Sequence, residues 1–387
     1  MGNIGGSYMN SNLKNVQISG IRKFYNEVKK VNGAISLTLG QPDFPVPNVI
    51  KEALIDAINE NKTVYTENAG ILPLRQEISK YLSTKNINYS SDEICITVGG
   101  SEALFSVFAA LINKNDKVLI GTPAYPAYEN IVNILGGTVV NYSLKDDFSI
   151  NLEEIKNIIS KEEIKVLVLS LPSNPMGTIL SKEEKQELVK IIKDNEIIVL
   201  TDEIYESLIY DKYYSVAQEK DVLDKIVYIS GFSKMFSMTG LRVGYYCAKK
   251  QLMDEIMKVH QYNVSCATSI CQWGAYEGLR NGLDDLQHMK DVFNERKEYV
   301  VNELRDIGLE VNEPKGAFYV FPSIKKYKIS SEEFCLRLLN EYKIACVPGS
   351  AFGIGGEGYI RISYCYSMEE LEKALRGLRM FISTLEK

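Results

Sequence analysis

The stretch Ile226-Val227-Tyr228-Ile229-Ser230-Gly231-Phe232-Ser233-Lys234-Met235-Phe236-Ser237-Met238-Thr239-Gly240-Leu241-Arg242-Val243-Gly244-Tyr245 decides the fold. An apolar, strand-like run delivers the chain into small and hydroxylated residues that bracket one lysine. An arginine follows eight positions later. Most lysines lie on surfaces, but a glycine-bearing turn after a buried strand is a poor place for a solvated one.

Working outward, strand-like apolar runs recur at 94–98, 117–121, 138–142, 166–171, 197–201, 226–229 and 243–247, with amphipathic helical patterns between them. Several runs are almost wholly apolar, as strands buried on both faces are. The alternation predicts an α/β fold: a mostly parallel seven-stranded sheet covered by helices. Ligands in such folds bind beyond the carboxyl ends of the strands. A long helix is predicted over 281–306. After Gly308 come short strands within 317–321, 345–347 and 359–363, separated by helices. This is a smaller α+β piece. Ser181…Glu184, Ser330…Glu333 and Ser367…Glu370 read as capping boxes. A helix is expected from Ile18 towards Gly33, after a loose polar start over 1–16.

At 387 residues, 45% hydrophobic and 24% charged, the chain has the balance of a soluble globular protein with room for more than one domain. The net charge of -6 and the absence of a basic stripe argue against nucleic acid. No apolar run reaches the ~18 residues of a membrane span, and no signal peptide is recognisable. Gly6 stands where a myristoylation site wants Ser or Thr. Seven cysteines without a C-x-x-C pair, and only two histidines, argue against a zinc site and read as reduced thiols of a cytoplasmic protein.

Several residues carry recognisable chemistry. Thr97-Val98-Gly99-Gly100-Ser101-Glu102 is a strand end running through two glycines into a helix, where unpaired N–H groups and the helix dipole favour an anion. Many βα turns look the same. Tyr125 follows a strand; it either packs in the core or offers a face to a planar ring. Asn174-Pro175 after a strand is also a common turn. Asp202 ends an apolar strand, where a carboxylate is costly unless something offsets it. Arg361 sits between Ile360 and Ile362 and needs an anion. Gly40-Gln41-Pro42 is a strand running into a rigid turn or a plain loop.

Asn174, Asp202, Lys234 and Arg242 occur in this order at gaps of 28, 32 and 8. With the segment Tyr65…Gly70…Leu74-Arg75, this pattern resembles the class I/II aminotransferases, enzymes of fold type I that use pyridoxal 5'-phosphate (PLP). The resemblance covers nearly the whole chain. It implies an N-terminal segment (1–45) joining a small domain (286–387), with a large PLP-binding domain (46–285) between. It implies that Gly100, Ser101 and Glu102 hold the cofactor phosphate, with Arg242 as a charged fork and Ser233 adding a hydroxyl. Tyr125 would stack on the ring, Asp202 would pair with the ring nitrogen, and Asn174 and Tyr205 would reach the phenolic oxygen. Lys234 would bond the cofactor aldehyde and then relay a proton between the substrate Cα and the cofactor. Arg361, with Asn174 and Gly40, would receive the substrate carboxylate. Tyr65 would reach the other subunit's phosphate in a homodimer, and 258–266 would approach the partner's cofactor. Many members carry a phosphate-binding Ser three positions before the lysine; Gly231 stands there in this chain.

The implied reaction moves an amino group from an amino acid to a 2-oxo acid. Within the family, 18–24, 39–47, 258–269 and 356–363 are similar to the N-acetyl-diaminopimelate aminotransferases of lysine biosynthesis, and aspartate and aromatic aminotransferases share most of these features. A C–S lyase on the same scaffold is the alternative reaction. A PLP-binding regulator without turnover would need a DNA-binding domain, for which the short start leaves no room.

Overall fold

The computed structural model describes residues 9–16 and 18–386, so the reading of residues 1–8, Gly6 included, lies outside the described residues. After the first α-helix, Gly20–Val28, comes β1 (Ile35–Ser36). The next seven strands are β2 (Ile94–Thr97), β3 (Lys117–Thr122), β4 (Thr138–Ser143), β5 (Ile164–Ser170), β6 (Ile198–Asp202), β7 (Ile226–Gly231) and β8 (Gly244–Ala248). They form one sheet in the order β2-β8-β7-β6-β5-β3-β4. All seven expected runs are present, with ends displaced by a residue or two. The sheet is mostly parallel; β8 is antiparallel to both of its neighbours.

The period of two explains why these runs are apolar throughout. In β5, Val166 and Val168 join one buried cluster, while Leu167 and Leu169 join the cluster on the opposite face. Each such side chain contributes roughly 1.5–3 kcal/mol by leaving water. The same alternation sorts the acids at the end of β6. Asp202 points with Leu200 to one side, and Glu203 turns to the other, where the Thr201 hydroxyl donates to it at 2.8 Å.

The direction of β8 places the site. The parallel strands end at one edge of the sheet, and the antiparallel β8 begins there. Arg242, two residues before β8, therefore lies at the same edge as Lys234, three residues after β7.

Beyond the long helix Leu283–Asp306 come β9 (Tyr319–Val320), β10 (Ile344–Ala345), β11 (Val347–Pro348) and β12 (Ile360–Ser363). β1 pairs in parallel with β10, and β11-β12-β9 form an antiparallel sheet. Helices Ser331–Tyr342 and Met368–Leu385 pack around them. This is the expected α+β piece, with a strand from near the start of the chain built into it.

Three local readings change. A 3-10 turn, Ser11–Asn15, occupies part of the start expected to be loose; Asn10 caps it and Asn12 anchors it to the Ile134 carbonyl. The expected first helix runs from Gly20 to Val28. Ser330 caps the Glu333 N–H, but Glu333 does not return the bond. Glu357 instead takes the Ser331 N–H at 2.7 Å, so this box is half formed, whereas those at Ser181 and Ser367 are complete.

Leu167 is fully buried in β5, an interior strand of the sheet. Leu167→Ala is expected to lower stability by about 2–5 kcal/mol, read as a lower urea midpoint with an unchanged slope.

Candidate active site

One cavity of about 250 Å3 lies at the carboxyl edge of the sheet, and it gathers residues from widely separated stretches of the chain. Gly100, Ser101, Tyr125, Asn174, Asp202 and Tyr205 line it from the large sheet's loops. Ser233, Lys234 and Arg242 close its floor, and Gly40, Tyr319 and Arg361 come from the α+β side. Tyr65 and Glu102 are not among its walls.

The cradle is built from sterics. Helix Gly99–Leu111 starts at this edge, so its first N–H groups face the cavity. Gly99 has φ +73°. A Cβ there would stand 2.6 Å from Arg242 Nη2. Only a bare backbone lets the guanidinium lie against the helix start. Gly100 is not so constrained, since a Cβ there would meet nothing nearer than 3.7 Å. Arg242 Nη1 donates to the Thr239 carbonyl at 2.9 Å, which aims the fork. The glycine at 231 also has a steric reason: a Cβ there would lie 2.8 Å from Gly244 Cα.

The Glu102 side chain lies away from the cavity. Its carboxylate is engaged behind the cradle, accepting the Val98 N–H at 3.1 Å and the Ser106 hydroxyl at 2.5 Å. It also faces His260 Nδ1 at 3.2 Å, while His260 Nε2 meets the Asn68 carbonyl at 2.8 Å. Both ring nitrogens face acceptors, so both donate and the ring is an imidazolium. Burial by itself would lower the pKa of His260, but hydrogen bonds to Cys95 and Glu102 outweigh it and raise it to about 10. Glu102 is thus left with its backbone N–H for an anion, not its side chain.

Asp202 is buried and its carboxylate faces the cavity. Tyr128 donates to Oδ2 at 2.8 Å and the Ile204 N–H to Oδ1 at 3.2 Å. Burial raises its carboxyl above the usual range, against those bonds and the Lys234 charge. Lys234 Nζ donates to the Gly40 carbonyl at 2.5 Å. Burial pushes its ammonium down to about 8, and the neighbouring Arg242 and Arg361 push the same way, while Cys365 and Asp202 oppose.

Arg361 is 2% exposed. Its Nη1 donates to Asn174 Oδ1 at 2.9 Å and its Nη2 to the Thr38 carbonyl at 2.6 Å. Arginine has only donors, so the atom of Asn174 facing it is oxygen, and the amide nitrogen is left for another acceptor. Arg361 Nε has no partner among the described residues. Tyr205 and Tyr319 share a hydroxyl–hydroxyl bond of 2.7 Å. A Cβ on Gly40 would collide with the Tyr319 hydroxyl, so bare backbone is required there.

Sequence reasoning missed Tyr128, Tyr319, Thr38 and the role of Gly99. Tyr128 had a faint signal: it lies three residues after Tyr125 in a helical turn, which puts both on one side. Tyr65 is 87% exposed and stands apart from this chain's cavity.

The donor set fits PLP. Arg242 and the helix start suit a phosphate, the buried Asp202 suits a protonated ring nitrogen, and the orphaned Nε of Arg361 suits a carboxylate. The chain belongs to the aminotransferase class I and II family, whose model matches residues 32–378. It is a PLP-dependent aminotransferase of fold type I. It is 42% identical over 378 residues to a protein of Bacillus subtilis described as a probable N-acetyl-LL-diaminopimelate aminotransferase, covering 97% of this chain and 95% of that one. It is 39% identical over 375 residues to a probable aspartate aminotransferase of Methanocaldococcus jannaschii, covering 95% and 98%. Among solved structures, aspartate aminotransferase from Thermotoga maritima matches with a TM-score of 0.91 at 32% identity, covering 97% of this chain and all of that one.

Two outcomes follow from this geometry. Gly99→Ala is expected to weaken PLP binding about tenfold or more while leaving phosphate-free pyridoxal little changed, because the methyl displaces Arg242; equilibrium titration of the apoenzyme measures both. Capture of PLP by the apoenzyme needs neutral Lys234. Its rate, followed by borohydride trapping, is expected to climb with pH and flatten above about 8, where an unshifted lysine would keep climbing to pH ~10.

Proposed function

We propose that this aminotransferase takes N-acetyl-diaminopimelate as its amino donor or product, with 2-oxoglutarate or glutamate as the other partner, in lysine biosynthesis. The observation that carries this is the 42% identity to the probable N-acetyl-LL-diaminopimelate aminotransferase. The activity needs a cavity that holds one α-carboxylate beside a lysine and leaves the rest of the substrate unconstrained. In this reading Arg361 binds that carboxylate, helped by Asn174 and by the bare backbone at Gly40.

PLP, when bound, supplies an electron sink that makes the substrate Cα–H acidic. The chain's residues do the rest. The N–H groups of Gly100, Ser101 and Glu102, the Ser233 hydroxyl and Arg242 anchor the phosphate. Tyr125 would stack on the ring, and Asp202, held by Tyr128, would pair with the ring nitrogen. Asn174 gives its amide N–H, and Tyr205 its hydroxyl, to the phenolic oxygen. Lys234 would be the group to move the substrate Cα proton, a task that suits an amine brought to about 8 by burial.

In the same reading, the large domain spans 46–285 and the small one 286–387, joined by the segment 1–45. The pairing of β1 with β10 supports that join, and the boundary at 285 falls at the start of helix Leu283–Asp306. The protein works as a homodimer. The exposed Tyr65, at 87%, and Tyr262, at 89%, belong to the segments that would meet the partner and its phosphate. The seven unpaired cysteines support a cytoplasmic setting.

The test is a panel of donors given singly to the PLP-loaded enzyme: N-acetyl-LL-diaminopimelate, glutamate, aspartate and phenylalanine. Bleaching of the bound cofactor's absorbance is expected to be stoichiometric and fastest with the first two. A response to aspartate or phenylalanine alone would overturn the substrate, and release of ammonia with pyruvate would point to the lyase reaction instead.

A further inference from the structure

We propose that Tyr319 is a positioning residue that ties the carboxylate-binding arginine to the donor at the cofactor's phenolic oxygen. This rests on the assignment of Tyr205 to that oxygen. Tyr319 comes from β9, outside the large sheet, and is 1% exposed. Three contacts converge on it. Its ring lies under Arg361, with Cζ 4.4 Å from the ring centroid. Its hydroxyl is 2.7 Å from that of Tyr205, and the two rings meet edge to face at 5.6 Å and 80°. The hydroxyl also fills the space a side chain at residue 40 would take, beside the carbonyl that accepts from Lys234 Nζ.

The direction of the hydroxyl pair follows from the neighbours. Each phenol has one proton to give. Neither hydroxyl has another protein partner among the described residues. If Tyr205 gives its proton to the phenolic oxygen, Tyr319 must donate to Tyr205. The guanidinium against the Tyr319 ring polarises its O–H in that sense. Burial raises the Tyr319 phenol to about 12, with Arg361 pulling it back, whereas at Tyr205 the bond to Tyr319 adds to burial. A donor that is itself a recipient donates more strongly. Tyr319 therefore sharpens the Tyr205 bond, and an anion that draws charge from Arg361 alters that bond through one ring.

Hydrogen bonds given to the phenolic oxygen favour the state in which the Lys234 nitrogen has released its proton. The pH midpoint of the bound cofactor's absorbance change reports this, independently of turnover. Tyr205→Phe is expected to raise that midpoint by about one unit, and Tyr319→Phe, which keeps the ring under Arg361, by about 0.3–0.7 unit. In the double variant, Tyr319→Phe should add almost nothing. The KM for the amino donor should hold within about twofold in Tyr319→Phe, and rise about tenfold or more in Tyr319→Leu, which removes the ring. If Tyr205→Phe leaves the midpoint unchanged, the assignment of Tyr205 falls and the inference with it. If Tyr205→Phe shifts it and Tyr319→Phe does not, or if the two shifts add, the inference alone falls.

Discussion

An excess of positive charge gathered in one cavity organises this molecule. The cavity holds Lys234, Arg242 and Arg361 against one carboxylate, Asp202. Cations taken out of water are costly unless something compensates them. The chain offers partial compensation, because each cation donates to a backbone carbonyl: Lys234 to Gly40, Arg242 to Thr239 and Arg361 to Thr38. Carbonyl dipoles do not neutralise a charge. A ligand bearing both a phosphate and a carboxylate partner does, and a protonated ring nitrogen answers Asp202 in turn. The preference for an amino acid on a phosphorylated pyridine is thus written in the charge balance before any contact with the rest of the substrate is considered.

That balance depends on chain direction. Lys234 and Arg242 share one edge because β8 runs back along β7. The other two carbonyl acceptors and Arg361 reach the same edge because β1 belongs to the sheets of the C-terminal part, so that Thr38 and Gly40, just past β1, lie beside β12. The Ser363 N–H donates to the Leu37 carbonyl at 3.0 Å and fixes that contact. Arg361 is therefore mounted on a separate small sheet from Asp202 and Lys234, with Asn174 as a direct bond between the two sides.

What was legible in the sequence follows from the same physics. A charge in an apolar strand is anomalous wherever the strand lies, so Asp202 and Arg361 stood out, and two-faced burial made all seven large-sheet strands readable as apolar runs. Tyr128 and Tyr319 were not legible. Each looks like any core tyrosine until a partner 74 or 114 positions away is brought to its hydroxyl. Gly99 read as an ordinary turn glycine and Gly231 only as the place of an absent serine, because the atoms that crowd a Cβ there belong to Arg242 and Gly244. The two short strands of the α+β piece that flank Cys346 read as a single run, since each has only two residues.

Glu102 has its backbone and its side chain turned to different tasks. Its position at a helix start beside two glycines points to the phosphate, but a carboxylate facing a phosphate would repel it. The side chain instead folds back on Val98 and Ser106 and meets the His260 imidazolium. That ring also holds the Asn68 carbonyl, while the Asn68 amide donates to the Ser265 carbonyl at 2.5 Å. A single buried ion pair thus joins the cradle helix to the segment that carries Tyr65 and to the loop after helix Lys250–Asn263. The acid that cannot bind the anion is what holds its binding loop and two neighbouring segments in register.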